Sequence, residues 1–170
     1  MKNVFFLCIL ILSLSGCESD DAARSSLNST VAGDYILTSL ISNIPVDFNG
    51  DGVSNVELLL EASCFSSMDV SFLINGDFTS TVAEPSFDSN NNLSCPLSLQ
   101  SGNYSLDTNS VLTVIANVNG GTITDSKQVI FTPTTFEFTV TGAEMDRYIS
   151  GRNSTPAAGV TSLVAVYTKN

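Results

Sequence analysis

Apolar and polar residues alternate along much of this chain, in short stretches that are bounded by Gly, Asn or Asp. The clearest stretch is residues 134–140, where Phe136, Phe138 and Val140 alternate with threonine and glutamate. Because successive side chains of a strand point to opposite faces of a sheet, this pattern predicts a strand with one buried and one solvent-facing side. Comparable stretches, rich in β-branched residues, predict further strands at residues 34–42, 69–74, 78–82, 96–100, 103–107, 111–118, 127–132 and 159–168.

The Asn-Gly-Asp tripeptide at residues 75–77 predicts the turn of one hairpin. A three-residue loop with Gly76 in the left-handed conformation pairs Ile74 with Phe78 and leaves both on the same face as Phe72. Short strands with tight turns, and no strand-helix-strand alternation, predict an antiparallel all-β domain. Such a domain is built as a closed barrel or as a sandwich of two sheets.

One loop carries oxygen ligands at the spacing of the first part of the calcium loop of EF-hands and dockerins. Its candidate calcium ligands, at loop positions 1, 3, 5, 7 and 9, are Asp47, Asn49, Asp51, Val53 and Asn55. Position 12, where that loop has a bidentate carboxylate, is Leu58, and the nearest acids are Glu57 and Glu61. The sequence leaves two alternatives, a structural calcium site or a polar turn. Ser54 and Glu57 have the spacing of a capping box, which predicts one short helix over the apolar residues that follow.

The N-terminal residues predict export and lipidation. A lysine near the start and an apolar run at 4–14 precede Leu-Ser-Gly-Cys17, which resembles a bacterial lipobox. The run is too short to span a bilayer. These features predict a signal peptide at residues 1–16, a lipid on Cys17, a flexible polar tether at residues 17–30 and one domain at 31–170. The predicted location is the cell envelope, lipid-anchored in the outer membrane on its periplasmic or its surface-exposed face.

Two cysteines, Cys64 and Cys95, remain in the predicted mature domain. An even pair in an oxidising compartment predicts a disulfide. The alternatives are two reduced buried thiols or a metal pair, and the chain has no histidine to complete a metal site.

Composition excludes several classes of function. The formal net charge of −11 disfavours nucleic acid as a partner, because its phosphates would be repelled. Without histidine, Ser-His-Asp and Cys-His catalytic arrangements and His-ligated zinc cannot form. No Gly-rich phosphate loop follows a strand, and no carboxylate pair has a spacing that marks it as catalytic. The sequence therefore predicts a non-enzymatic protein with no catalytic residues.

Several of these features together resemble the lipocalin-like lipoproteins of Gram-negative bacteria. They are the lipobox, the opening Gly33-Asp34-Tyr35, the DFNGDG…LLLE..C segment, the predicted hairpin and the final Val-Tyr-Thr-Lys strand. The resemblance implies an up-and-down antiparallel barrel of about eight strands with a short helix near one mouth. Classical lipocalins have Gly-x-Trp in the first strand where this chain has Tyr35. That difference leaves open whether the interior is a ligand cavity or a filled core.

The predicted function is that of a lipid-anchored envelope protein, with a small apolar ligand as the candidate occupant of the barrel. Its candidate ligand-contacting residues, at inward-facing positions, are Phe72, Phe78, Phe136 and Phe138. Plain core packing is the other interpretation of these rings. The alternative function is a structural or interaction lipoprotein with a filled barrel, which recognises a protein or a glycan through polar loops such as residues 83–94 and 142–156.

Overall fold

The computed structural model describes residues 27–90, 92–118, 120–149 and 157–170. Strands account for most of these residues. They are β1 (Gly33–Val46), β2 (Asn55–Glu57), β3 (Asp69–Phe72), β4 (Asp77–Ala83), β5 (Ser86–Phe87), β6 (Leu93–Ser94), β7 (Leu97–Leu106), β8 (Val111–Val118), β9 (Gly121–Phe131), β10 (Thr135–Thr141) and β11 (Ser162–Lys169). The 3-10 helices are Leu58–Leu60, Ser63–Ser67 and Gly142–Arg147, and residues 27–31 form a short α-helical segment.

Eight of these strands close into an antiparallel barrel. Strands β1, β3, β4, β7, β8, β9, β10 and β11 each pair with the next in this order, and β11 pairs back onto β1. Strand β2 adds to β1 outside this circuit, while β5 and β6 form a separate small hairpin. The prediction of an all-β, up-and-down barrel is confirmed. Since β1 and β11 join, residues 33–169 contain all the strands of the barrel.

The register of the β3–β4 hairpin differs from the prediction. Phe72 pairs with Phe78, and Gly76, with a φ of 90°, is the last of the four residues between β3 and β4. The predicted pairing of Ile74 with Phe78 is wrong because β3 ends at Phe72 and Ile74 lies in the turn, where it is 61% exposed. The observed partner of Phe78 lies two residues earlier on the chain than the predicted one. Because a shift of two residues keeps a side chain on the same face, Phe72 and Phe78 still share the inner face.

The short helix after the Asp47–Asn55 loop begins later than the capping box predicts. Glu57 itself caps the 3-10 helix Leu58–Leu60, with its carboxylate accepting from the backbone N–H of Leu59 at 3.2 Å. The same carboxylate accepts from the backbone N–H of Leu40 at 2.8 Å. The predicted role of Ser54 as the cap is wrong, since Asn55–Glu57 is drawn into pairing with β1 instead.

Residues 27–31 pack across the end of the barrel at which β1 begins. Val31 is fully buried there, and its carbonyl oxygen accepts from the Tyr35 hydroxyl at 2.8 Å. Near the same end of the barrel, where Leu73 follows the last residue of β3, the Tyr104 hydroxyl donates to the carbonyl oxygen of Leu73 at 2.8 Å. Most of this helical segment falls within the predicted tether. The chain thus begins to pack against the barrel a few residues before its first strand.

A disulfide ties the other side of the fold together. It joins Cys64, in the 3-10 helix Ser63–Ser67, to Cys95, which lies between β6 and β7, with a Cα–Cα distance of 6.0 Å. The predicted pairing of these two cysteines is confirmed.

Candidate ligand cavity

The barrel encloses a cavity of about 590 Å³. Its wall is made by inward-facing side chains of the barrel strands, together with residues at the C-terminal end of the 3-10 helix Gly142–Arg147. All four phenylalanines predicted to face the interior, Phe72, Phe78, Phe136 and Phe138, line it. Pockets that bind small molecules in proteins have volumes of roughly 300–1,000 Å³. The interior therefore has room for a small ligand.

Phe136 is the centre of the aromatic part of this wall. Its ring centroid lies within 4.9–6.1 Å of five other aromatic rings, those of Tyr35, Phe72, Phe131, Phe138 and Tyr167. At 2% exposure, Phe136 is also part of the barrel core. The same ring thus packs the fold and lines the cavity, so the two interpretations of these rings are compatible.

Strand β9 contributes charged side chains to the cavity. Asp125 and Lys127 both line it, and Lys127 Nζ lies 2.9 Å from Asp125 Oδ1 and also forms an ion pair with Glu144. Burial acts to raise the pKa of Asp125, but the hydrogen bond and charge of Lys127 outweigh it and hold that pKa below its usual value. Along β9 they lie at every second position with the apolar Ile123 and Val129, on the same face of the strand, and this spacing is the signal that could have placed them inside.

Two tyrosines complete the polar part of the wall. Tyr148 and Tyr167 line the cavity, and neither hydroxyl has a hydrogen-bond partner among the residues that the structure describes. Tyr167 is only 6% exposed. Burial raises the pKa of both phenols, and for Tyr167 the neighbouring Tyr148 and Asp69 raise it further. Sequence reasoning missed Tyr167, although its position two residues after Ala165 and four after Leu163 puts it on the same inward face of β11.

The predicted calcium loop is held by its own hydrogen bonds. The Asp47 carboxylate accepts from the backbone N–H groups of Gly50 at 2.7 Å and Gly52 at 2.9 Å. Asn49 Oδ1 accepts from the Asp51 N–H at 2.9 Å. The Asp51 carboxylate in turn accepts from the backbone N–H of Val53, another predicted ligand, at 2.7 Å. These side-chain oxygens therefore already organise the turn.

Glu61 reaches this loop from the following helical segment. It is 3% exposed, and its carboxylate accepts from the Phe48 N–H at 3.0 Å and from the side-chain amide of Asn55, another predicted ligand. Glu57 is engaged with β1 instead. Within the described ranges, no group of three or more His, Cys, Asp or Glu side chains is arranged to hold a metal. Calcium binding stays a prediction.

Cys17 and the predicted signal peptide lie outside the described residues. Within the part of the chain that is described, no helix has the length and apolar composition needed to cross a bilayer.

Comparison with protein-family models finds none that matches this chain. A search of the curated proteins likewise finds no significant match.

Proposed function

We propose that this protein is a non-enzymatic binding protein of the cell envelope, anchored by lipid on Cys17, whose barrel holds a small apolar ligand. The observation that carries the proposal is the cavity of about 590 Å³ with phenylalanines on its wall. An apolar ligand gains free energy in such a site because its surface leaves water, at roughly 25 cal/mol for each Å² buried. The anchor is supported by the lipobox-like Leu-Ser-Gly-Cys sequence.

The cavity chemistry supports binding rather than catalysis. Asp125 is paired with Lys127, and the same lysine is shared with Glu144. A carboxylate held ionised in an ion pair is a poor proton donor, because its pKa lies far below neutral pH. The volume of the cavity also favours a hollow barrel over the filled core that the interaction-lipoprotein alternative assumes.

Ala116→Phe is expected to abolish binding of an apolar probe. Ala116 is 6% exposed and lines the cavity from β8, so a phenyl ring at this position would occupy the space of the ligand. We expect the affinity of residues 18–170 for diphenylhexatriene, a hydrocarbon that fluoresces when it leaves water, to fall at least tenfold. The measurement is a fluorescence titration at constant protein concentration.

Ile115→Phe is the matched control for this variant. Ile115 is the preceding residue of β8, is 42% exposed and lies outside the cavity wall. The Ile115→Phe variant should bind the probe with the same affinity as the unmodified domain. If the unmodified domain does not bind the probe, or if both variants bind it equally well, the barrel is not the binding site.

We propose separately that the Asp47–Asn55 loop binds a structural calcium ion with Glu61. The supporting observation is that Glu61 is a buried carboxylate whose hydrogen-bond donors in the described residues are neutral, Phe48 N–H and Asn55. A buried charge without an opposite charge is destabilising. Calcium prefers carboxylate, amide and carbonyl oxygens, which this loop supplies at the spacing of a known calcium loop.

Calcium is therefore expected to raise the melting temperature of the domain, and Asp51→Asn is expected to remove that effect. At a hundredfold excess over its Kd, a bound ion stabilises a fold by about 2.7 kcal/mol. The measurement is thermal unfolding with calcium and with a chelator. Asp88→Asn is the control, because Asp88 also caps its own turn, accepting from Asn90 and Asn92, outside the loop. Equal calcium responses in all three proteins would exclude this loop.

A further inference from the structure

The hydroxyl groups of Tyr148 and Tyr167 distinguish one part of the cavity from the rest. The other two tyrosines of the chain are satisfied within the fold, with Tyr35 donating to Val31 and Tyr104 donating to Leu73. Among described residues, Tyr148 and Tyr167 have no such partner, and both lie on the cavity wall. Tyr167 is 6% exposed, and Tyr148 is half-buried. Buried hydroxyl groups in proteins are nearly always hydrogen-bonded, so these two need a partner in the cavity, and an acceptor on a ligand can supply it.

Both hydroxyls act as hydrogen-bond donors. A phenol has an ordinary pKa of about 10 and keeps its proton near neutral pH, and burial raises the pKa of both of these phenols further. For Tyr148, the carboxylates of Asp125 and Glu144 also raise the pKa. A pair of protonated phenols on one wall calls for an acceptor oxygen on the ligand.

The surrounding charges favour an acceptor that is itself uncharged. Among the described residues, the acidic side chains on the cavity wall are Asp69, Glu84 and Asp125, and the basic ones are Lys127 and Arg147. Lys127 is already engaged by Asp125 and Glu144. An anionic head group would therefore meet three acidic side chains and, among the described residues, one cation outside an ion pair, Arg147. A neutral carbonyl oxygen avoids this excess of negative charge.

We propose that the cavity takes a neutral amphipathic ligand, an apolar chain or ring system with an ester or ketone oxygen, and that Tyr148 and Tyr167 donate hydrogen bonds to this oxygen. The apolar part packs on the phenylalanines of the wall. This inference rests on the proposed function, because it specifies the ligand of the same cavity.

Three fluorescent probes separate the two proposals. They are diphenylhexatriene, which has no oxygen, the methyl ester of cis-parinaric acid, which has a neutral carbonyl, and free cis-parinaric acid, which carries a carboxylate. We expect the domain to bind the ester more tightly than the free acid. Tyr167→Phe and Tyr148→Phe should each weaken binding of the ester by about three- to tenfold, the usual effect of losing one hydrogen bond. Each variant should weaken the ester by a larger factor than it changes the affinity for diphenylhexatriene, which has no oxygen to accept a hydrogen bond.

Tyr104→Phe is the control, because it removes a hydroxyl that already has a partner in the fold and lies off the cavity wall. It should leave binding of all three probes unchanged. Conversely, Tyr167→Phe should not lower the melting temperature of the free domain, since the hydroxyl that it removes has no hydrogen-bond partner within the described part of the chain.

The outcomes are distinguishable. If no probe binds, the proposed function fails, and this inference fails with it. If diphenylhexatriene binds but the tyrosine variants weaken the ester no more than the hydrocarbon, or if the free acid binds more tightly than the ester, the cavity binds apolar molecules and the proposed role of the tyrosines is wrong.

Discussion

Phe136→Ala is expected to lower the free energy of unfolding by about 3–5 kcal/mol, the cost usually found when a buried phenylalanine is truncated. Phe136 is 2% exposed and contacts five aromatic rings that come from β1, β3, β9, β10 and β11. Its removal would take packing partners from several strands at once. The space that it leaves would join the existing cavity, so neighbouring side chains have little reason to collapse into it.

Phe138→Ala is the matched comparison for Phe136→Ala. Phe138 lies on the same strand and faces the same cavity, but it is only partly buried and its nearest aromatic centroids, those of Phe136 and Tyr167, are 6.1 Å away. We expect Phe138→Ala to lower the free energy of unfolding by about half as much as Phe136→Ala, or less. Urea unfolding of both variants with unchanged m-values measures the difference. Equal losses would mean that Phe136 is not the centre of the core.

Loss of the Cys64–Cys95 disulfide is expected to lower the free energy of unfolding by about 3–4 kcal/mol. The two cysteines are 31 residues apart in sequence, so the bond closes a loop that restricts the unfolded chain considerably. In the folded state, it holds the 3-10 helix Ser63–Ser67 against the segment that leads into β7. The double variant Cys64→Ala, Cys95→Ala avoids leaving one free thiol.

The measurement is urea unfolding of the unmodified domain and of the double variant, each with and without dithiothreitol. The reductant should destabilise the unmodified domain to the level of the variant and leave the variant unchanged. If thiol titration shows that both cysteines are reduced while stability is unaffected, the bond does not contribute to the fold.

The period-two pattern placed part of every strand of the barrel, although it divided β7 into two strands, began β9 six residues late and missed the short strands β2, β5 and β6. Residues 111–118 were predicted as a strand with the bounds that the structure shows, and Phe72, Phe78, Phe136 and Phe138 all face the interior. This works because the alternation of side chains is a property of the extended backbone itself and needs no knowledge of distant residues. The pairing of Cys64 with Cys95 was equally accessible, since the predicted mature domain has no other cysteine.

Contacts between distant segments decided other features. Glu57 has the spacing of a capping box with Ser54, yet its carboxylate accepts from Leu40 of β1, because an N–H of that strand is in reach only once the chain has folded. The hairpin register likewise depends on β3 pairing with β1 on its other edge. Local turn chemistry placed Gly76 correctly and misplaced its partners.

The sequence by itself determined the class of the fold, the approximate positions of the barrel strands and the disulfide, because each follows from local periodicity or from the small number of candidate residues. Only the tertiary structure decided between a barrel and a sandwich, showed that the barrel contains a cavity, and placed Asp125, Lys127, Tyr148 and Tyr167 in the lining of that cavity. Closure and volume depend on how eight strands twist and pair together. A cavity is the space that these pairings leave, and no single segment of the chain encodes it.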